Sequence, residues 1–407
     1  MAKEMLTGNA AAAWGVRLAE VDYIPAYPVT PQTEIIETIA RWISNGDMDA
    51  RFVTMDSEHS MITAAGSASA TGVRAFTASS SQGLLYGFEM LYTVAGWRVP
   101  LVMVNVSRGL SSPITLEPDH NDILAARDCG FLHIHCETCQ EVLDSILMAY
   151  RIAEDERILL PVFVNLDGFL LSFTREPVEI PSLDDVKRFL PAYIPKHAFF
   201  KAGKPMAQGV SVLGGPIYSY FKYQMHMANM NGLTVYKEVC NEFKNIFGRE
   251  YDTVDGYMLN DAEYVLIMMD SFSTIGKAAV KKAREKGIKA GLLRLRLLRP
   301  FPAKDIMAAI KGKKAVTVLD QNISIGKGGI LYSEIASVIC NEKEKPLLLS
   351  FIGGLGGKNI SPSEFEFIFD TMINAEKTGI VPEPQLLYTE AELKEIERIK
   401  KIAGKKI

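Results

Sequence analysis

Four turns in this sequence combine residue types that can do chemistry with a position suited to it. Each follows a short apolar run. Tyr27-Pro28-Val29-Thr30-Pro31 closes the run at 23–27, and Asp56-Ser57-Glu58-His59 the run at 51–55. Ser79-Ser80-Ser81-Gln82-Gly83 closes 74–78, and Val106-Ser107-Arg108-Gly109-Leu110-Ser111-Ser112-Pro113 closes 101–106. If the runs are strands of an open α/β sheet, these turns lie at its carboxyl edge, where ligands bind. Thr30 precedes Pro31 and a helical run, so it is placed as an N-cap with proline at the first helical position. That helix start also favours an anion. Glu58 opens a helix, where a first-turn carboxylate is favoured by the macrodipole. Arg108 follows an apolar run and by itself reads as a surface arginine pairing nearby carboxylates. Ser80, Ser81 and Gln82 make a polar turn able to line a ligand.

The elements positioning these turns follow from periodicity. Strands are predicted at 23–27, 51–55, 74–78, 101–106, 132–136 and 162–165, with helices at 9–21, 31–43, 58–71, 83–95, 122–129 and 141–154. Strands alternating with helices imply βαβ units and a parallel sheet covered on both faces. Residues 174–204 break the rhythm with Pro177, Pro181, Pro191 and Pro195, which reads as an extended arm with few buried contacts. Residues 205–256 are ambiguous, and their Met- and Tyr-rich stretch at 218–230 reads as core or interface filling. A second series starts near Glu263, with strands at 264–269, 291–297, 315–319 and 346–351. Its helices fall at 273–286, 303–310, 329–338, 364–374 and 391–402.

The bulk properties exclude several classes. The 407 residues carry a net charge of −4, 48% hydrophobic and 23% charged residues, which is ordinary for a globular chain of two or three domains. The basic excess of a nucleic-acid binder is missing. The basic tract from Lys394 to Lys406 alternates with Glu and Ile and reads as a solvated helix face. No apolar run nears the ~18 residues of a membrane span, and the N-terminus does not read as a signal peptide. A cytoplasmic location is expected. Five cysteines, an odd and sparse set, point to reduced thiols. His133-Ile134-His135-Cys136-Glu137-Thr138-Cys139 imitates a zinc motif. On a strand, however, His133 and His135 share a face that Cys136 does not, so a strand-to-helix turn without metal is expected. Gly353-Gly354-Leu355-Gly356-Gly357 lacks the Gly-Lys-Ser/Thr ending of a phosphate loop and reads as a tight turn. No Gly-x-Gly-x-x-Gly follows a strand, which argues against a nucleotide-binding dehydrogenase.

The order and spacing of these segments resemble the α-subunit of the pyruvate:ferredoxin oxidoreductase family of 2-oxoacid:acceptor oxidoreductases. The segments are Gly8-Asn9-Ala10 with Tyr-Pro-Val-Thr-Pro, Glu58-His59, Thr77-Ala78-Ser79-Ser80-Ser81-Gln82-Gly83 and Arg108-Gly109-Leu110-Ser111-Ser112-Pro113-Ile114. Leu297-Leu298-Arg299-Pro300-Phe301-Pro302, Leu319-Asp320-Gln321-Asn322-Ile323-Ser324 and the glycine turn at 353–357 continue the match. The resemblance spans nearly the whole chain and is weakest at 174–256. It implies a doubly wound, pyrimidine-type thiamine diphosphate domain over 1–245 and a transketolase C-terminal-like α/β domain over 246–407.

It further implies that Glu58 hydrogen-bonds the thiamine pyrimidine and favours its imino tautomer, that Thr30 and Arg108 bind the 2-oxoacid, and that Pro28, Ser81 and Gln82 line the cofactor. No Gly-Asp-Gly segment and no ferredoxin-like cysteine run occurs. The diphosphate site with its Mg2+, and the iron–sulfur clusters, are therefore expected on a β-subunit and other partners, with a gamma-type subunit in the complex. The implied reaction is oxidative decarboxylation of a 2-oxoacid with coenzyme A, pyruvate being the default. Thr115-Leu116-Glu117-Pro118-Asp119-His120-Asn121-Asp122 lacks the Trp of the pyruvate-type pattern, which leaves room for a larger acid such as phenylglyoxylate or 2-oxoisovalerate. The alternative is a non-catalytic scaffold subunit, against which the joint presence of Thr30, Glu58 and Arg108 argues.

Overall fold

The structure is a computed structural model that describes residues 2–197 and 199–404. The chain divides into two compact units. The first takes residues through 255 together with 269–271 and 295–302, and the second takes 256–268, 272–294 and the chain from 303 onward.

The first unit runs β1 (Ala2–Thr7), α1 (Gly8–Leu18), β2 (Tyr23–Ala26), α2 (Thr33–Asn45), β3 (Arg51–Thr54), α3 (Glu58–Ser69) and β4 (Ala75–Ser79). It continues with α4 (Ser81–Tyr86), α5 (Phe88–Trp97), β5 (Leu101–Ser107), α6 (Asn121–Ala125), β6 (Leu132–His135), α7 (Cys139–Ala153), β7 (Val162–Asp167), β8 (Arg175–Ile180), α8 (Leu183–Phe189) and α9 (Gly215–Phe247). The strand Leu297–Arg299 completes a seven-stranded sheet, next to β6; from there the order is β7, β5, β4, β2, β3. Leu297–Arg299 is antiparallel to β6, and the remaining neighbours are parallel. Parallel central strands are buried on both faces and read as unbroken apolar runs. β5, Leu-Val-Met-Val-Asn-Val-Ser, opens with such a run over its first four residues and is buried throughout. Six of the 11 residues of helix α1 are Gly or Ala, and the helix lies close on α7: a Cβ at Gly15 would come within 2.9 Å of Ile146 Cβ. Thr7 caps it, its Oγ1 accepting from the Ala10 N–H at 3.0 Å.

Residues 174–190 are not the extended arm that their prolines suggest, whereas 191–204 carry no helix or named strand and none of their described residues is buried. β8 pairs antiparallel with β1, and α8 follows with Ser182 as its N-cap. Val178, Ile180, Val186, Phe189 and Leu190 are all buried. The prolines fall at positions that leave this ladder and the short helix intact. Residues 205–256, open in the sequence, are mostly α9, whose later half buries Val235, Tyr236, Val239, Cys240, Phe243 and Phe247. Arg296, fully buried, donates to Ser145 Oγ at 2.9 Å and to the Tyr236 hydroxyl, and lies over the Tyr251 ring.

The second unit's six-stranded sheet has, by strand residues, the order 385–386, 347–352, 315–320, 264–269, 290–295, 254–257. Its elements are β9 (Val254–Tyr257), β10 (Tyr264–Met269), α10 (Phe272–Glu285), β11 (Ala290–Leu295), α11 (Ala303–Ile310) and β13 (Ala315–Asp320), with β12, the Leu297–Arg299 strand of the first unit's sheet, falling between β11 and α11 in chain order. They end with α12 (Ile330–Ile339), β14 (Leu347–Ile352), α13 (Pro362–Thr378), β15 (Gln385–Leu386) and α14 (Glu390–Ile402). β10, β13, β14 and β15 are mutually parallel. The glycines at 354, 356 and 357 have φ of 77°, 58° and 75°, a tight turn that side chains would strain. α14 buries no residue, so the basic tract is solvated as far as it is described; Lys405 and Lys406 lie outside the described residues. No helix among the described residues is long and apolar enough to cross a membrane.

Candidate functional site at the carboxyl edge of the first sheet

Because β2, β3, β4, β5 and β7 run parallel, the turns after them share one edge. Arg108, half-buried after β5, reaches two other turns: Nη1 donates to the Thr30 carbonyl at 2.6 Å and Nη2 to Gln82 Oε1 at 3.1 Å. Its Nε is buried and has no partner among the described residues. Burial pushes the guanidinium pKa down, and Asp122 pulls it back in part. Gln82 Nε2 donates to Ser111 Oγ at 2.8 Å, and Ser81 Oγ donates to Gln82 Oε1 at 2.6 Å and to the Gly109 carbonyl at 2.9 Å. Thr30, Arg108, Gln82 and Ser81 thus form one hydrogen-bonded chain across three turns.

Glu58 opens α3 behind the N-cap Ser57 and is buried, 6% exposed. Its carboxylate comes close to the backbone of Gly83: a Cβ there would stand 2.4 Å from Glu58 Oε1 and 2.9 Å from Ser79 Oγ. Only a residue without a side chain leaves that space to the carboxylate. The Ser79 and Ser80 hydroxyls are buried without hydrogen-bond partners. Buried orphan hydroxyls are costly, and that of Ser79 stands at the same glycine as the buried Glu58 carboxylate, for which no hydrogen bond to a described residue is seen. This set of orphaned polar atoms around a glycine gap fits a polar heteroaromatic ring.

Thr30 is not the N-cap. Helix α2 starts at Thr33 with Gln32 at the cap and no side-chain cap bond. Residues 29–32 instead form a turn closed by the Gln32 N–H on the Val29 carbonyl at 3.0 Å, and Gln32 Nε2 returns to the Tyr27 carbonyl. Thr30 is left exposed at the rim, where its carbonyl holds Arg108. Pro28 lies exposed in the same turn and makes no polar contact with the others.

Two buried features were not legible as site parts. Asp122 on α6 accepts from the Ser81 and Arg108 backbone N–H groups at 2.9 and 3.1 Å. Further along the same edge, His120 Nε2 lies 2.9 Å from Asp167 Oδ1 and 3.2 Å from Asp270 Oδ2, and His135 Nδ1 lies 2.7 Å from Asp270 Oδ2. The ligand atoms of His120, Asp167 and Asp270 lie within 4.8 Å of one another. They are already engaged: Ser271 donates its N–H to Asp167 Oδ2 at 2.9 Å, and Asn165 donates to Asp270 Oδ1 at 3.2 Å. Burial opposes a charge on His120, but Asp270 and Asp167 outweigh it and push its pKa up to about 9. The group is a histidinium between two carboxylates. The His133–Cys139 segment splits as its alternation implies. Cys136 donates to Ser145 Oγ and Cys139 to the Thr174 carbonyl, while His133 packs against Phe163.

The first unit is thus a doubly wound, mostly parallel sheet with a carboxylate, an arginine and a threonine at its carboxyl edge, and the second is a smaller α/β unit. Comparison with known proteins gives the class. Residues 14–240 match the family described as pyruvate flavodoxin/ferredoxin oxidoreductase, thiamine diphosphate-binding, and 262–365 match pyruvate:ferredoxin oxidoreductase core domain II. The chain is 40% identical to pyruvate synthase subunit PorA of Methanothermobacter thermautotrophicus over 93% of this chain and 97% of that one. It is 37% identical to ketoisovalerate oxidoreductase subunit VorA of Pyrococcus abyssi over 93% and 95%. Among solved structures, 2-oxoglutarate:ferredoxin oxidoreductase of Magnetococcus marinus superposes with a TM-score of 0.71 at 19% identity, covering 91% of this chain and 65% of that one. A split-gene transketolase does so at 0.54 and 12%, over 89% and 97%. At those identities the two structures speak for the fold alone.

The chain belongs to the pyruvate:ferredoxin oxidoreductase family. It is an oxidoreductase of the 2-oxoacid:acceptor class, whose members work in multi-subunit complexes, and its first unit is a thiamine-diphosphate-binding domain.

Proposed function

We propose that this chain is the α-subunit of a heteromeric 2-oxoacid:acceptor oxidoreductase that converts pyruvate and coenzyme A to acetyl-CoA and CO2, releasing two electrons to a ferredoxin-type acceptor. The observation that carries this reading is the chain of hydrogen bonds from Thr30 through Arg108 to Gln82 and Ser81, beside the buried Glu58 carboxylate at Gly83. In this reading residues 1–245 are the pyrimidine-type domain and 246–407 the transketolase C-terminal-like domain.

Thiamine diphosphate, when bound, supplies a nucleophilic ring carbon and an electron sink for loss of CO2. Glu58 would share one proton with a pyrimidine ring nitrogen, donating as the carboxylic acid and accepting from the ring N–H once the proton has moved. Ser79 and Ser80 offer their free hydroxyls to the ring, and Pro28, Ser81 and Gln82 line its rim. Arg108 grips the 2-oxoacid carboxylate with the N–H groups that Thr30 and Gln82 leave free. Thr30 steadies Arg108 and meets the oxo acid end of the substrate. With no Gly-Asp-Gly segment in its sequence, the chain relies on a β-subunit for the diphosphate and Mg2+; iron–sulfur clusters and a gamma-type subunit complete a cytoplasmic complex. The test is to offer the purified complex a panel of 2-oxoacids and identify the acyl-CoA formed. Acetyl-CoA from pyruvate is expected from the complex and no turnover from the isolated chain. Turnover by the chain alone would overturn the division of labour.

One observation favours a second reading of the substrate. The loop after Arg108 exposes Ile114 and Leu116, 81% and 48%, and carries no Trp, so the same chemistry on a branched or aromatic 2-oxoacid has an apolar wall available. The same panel separates the two.

A further inference from the structure

Asp122, in the first turn of α6, is fully buried. Its Oδ2 accepts the Ser81 N–H at 2.9 Å, the Arg108 N–H at 3.1 Å and Asn105 Nδ2 at 3.3 Å, while Oδ1 accepts the Ile123 N–H at 2.7 Å. The donors come from the turn after β4, the turn after β5, β5 itself and α6. A buried carboxylate is tolerated when its oxygens are hydrogen-bonded, so the anion and the two turns fix each other. Ser81 shows the effect. Its φ of 50° lies in the left-handed region, which a serine adopts at a cost. The N–H bond to Asp122 and the Oγ bond to the Gly109 carbonyl hold it there. The next residue, Gln82, then presents Oε1 to Arg108 Nη2.

We propose that Asp122 is the positioning residue of the 2-oxoacid clamp: by holding the backbone N–H groups of Ser81 and Arg108 at one carboxylate, it sets the spacing of the two turns and thereby the aim of the Arg108 guanidinium. The inference rests on the reading of Arg108 as the substrate's carboxylate partner. It makes the clamp sensitive to acid. Protonation turns one acceptor oxygen into a donor facing N–H groups, and a turn must move.

Burial pushes the Asp122 carboxyl up to about 6, against the bonds from Ser81, Arg108 and Ile123 and with help from the Asp119 charge. The titratable or charged groups near it are few. α4 carries only Tyr86, β5 carries none before Arg108, and its own turn carries Asp119 and His120. Beyond Asn105 and Asn165 stand Asp270 and His135.

The test uses Asp122→Asn in the assembled complex, with pyruvate as probe. Asn carries only one acceptor oxygen and adds donors, so it imitates the protonated carboxyl. The pyruvate KM should rise roughly 10-fold. That raised KM should stay flat with pH, whereas the wild-type KM climbs below about pH 6. The coenzyme A KM should not change, and the exchange rate of the thiazolium C2 proton should fall by much less than the pyruvate KM rises. Combined with Arg108→Lys, the double variant should lose no more than the worse single one, because both act on one contact.

An unchanged pyruvate KM in a folded, assembled Asp122→Asn complex overturns the proposal. So does an equal loss in C2 exchange, which marks a general collapse. Should the variant not assemble, the wild-type complex decides: a pyruvate KM that is flat from about pH 8 down to about pH 5 sinks the idea. Failure of the clamp reading looks different, since Arg108→Lys by itself then leaves the pyruvate KM unchanged and takes the inference with it.

Discussion

Replacing Arg108 by lysine keeps the charge and removes the fork. A guanidinium has five N–H donors. Thr30 and Gln82 take one each, at 2.6 and 3.1 Å, which leaves three, including the buried Nε without a partner. Those three are enough for a bidentate grip on a carboxylate while the guanidinium stays anchored to both turns. A lysine ammonium has three donors at one point and cannot hold two turns and a carboxylate together. The loss is about one charge-assisted hydrogen bond, on the order of 1.5–3 kcal/mol, or roughly a 10- to 100-fold fall in kcat/KM for pyruvate. Steady-state kinetics on the assembled complex, with an artificial electron acceptor, reads it directly. The fall should sit mainly in the pyruvate KM, with the coenzyme A KM and thiazolium C2 exchange unmoved. Unchanged kcat/KM would leave Arg108 as a latch between Thr30 and Gln82 and nothing more. A parallel fall in C2 exchange would mean that the site had lost its shape.

Glu58→Gln should slow thiazolium C2 proton exchange in the complex about 10²- to 10⁴-fold without blocking assembly; exchange at the wild-type rate would reduce Glu58 to a helix-start residue. Gly83→Ala places a methyl 2.4 Å from Glu58 Oε1, so the carboxylate must shift. Exchange should drop in a chain whose circular dichroism is unchanged, and an active Gly83→Ala complex would disprove the tight approach. His120 gives a stability prediction with a definite sign. Its pKa is raised from 6.5 to about 9 by Asp270 and Asp167 against burial, so the stability it contributes is complete below about 6.5 and lost as pH rises through about 9. Urea midpoints of the wild-type chain should fall between about pH 7 and about pH 9, and His120→Gln should flatten that slope; parallel slopes would deny the histidinium.

What the sequence showed, and what it hid, divides along physical lines. β5 was legible because a strand buried on both faces has no choice but an apolar run. The second unit's alternation was legible for the same reason. The ribbon of β1 and β8 was not, because only one face of β8 is buried: Val178 and Ile180 point inward between Arg175, Glu176 and Glu179, and Pro177 and Pro181 mask that alternation. α9 was hidden by its first half, where Ile217, Tyr218, Tyr220, Phe221 and Tyr223 are all exposed. That apolar density swamps the helical spacing of Val235, Val239, Phe243 and Phe247, which alone would have shown it.

The site follows the same logic at smaller scale. Glu58, Arg108 and Thr30 stand out because a ligand-facing side chain has to occupy a turn at a strand's end, a place that periodicity finds. Asp122 acts on the backbone N–H groups of residues 41 and 14 positions away, and a backbone N–H carries no residue identity to read. Asp167 and Asp270, 103 positions apart in the chain, meet at His120, with no motif to link them. Only a parallel sheet whose β5 and β7 are neighbours brings Asn105 beside Asn165, and so joins the carboxylate behind the clamp to the buried histidinium. The groups that touch a ligand are therefore set by local sequence, whereas the groups that hold them still are set by topology. A substitution at Asp122 is accordingly expected to change the clamp without altering any residue that the motif contains.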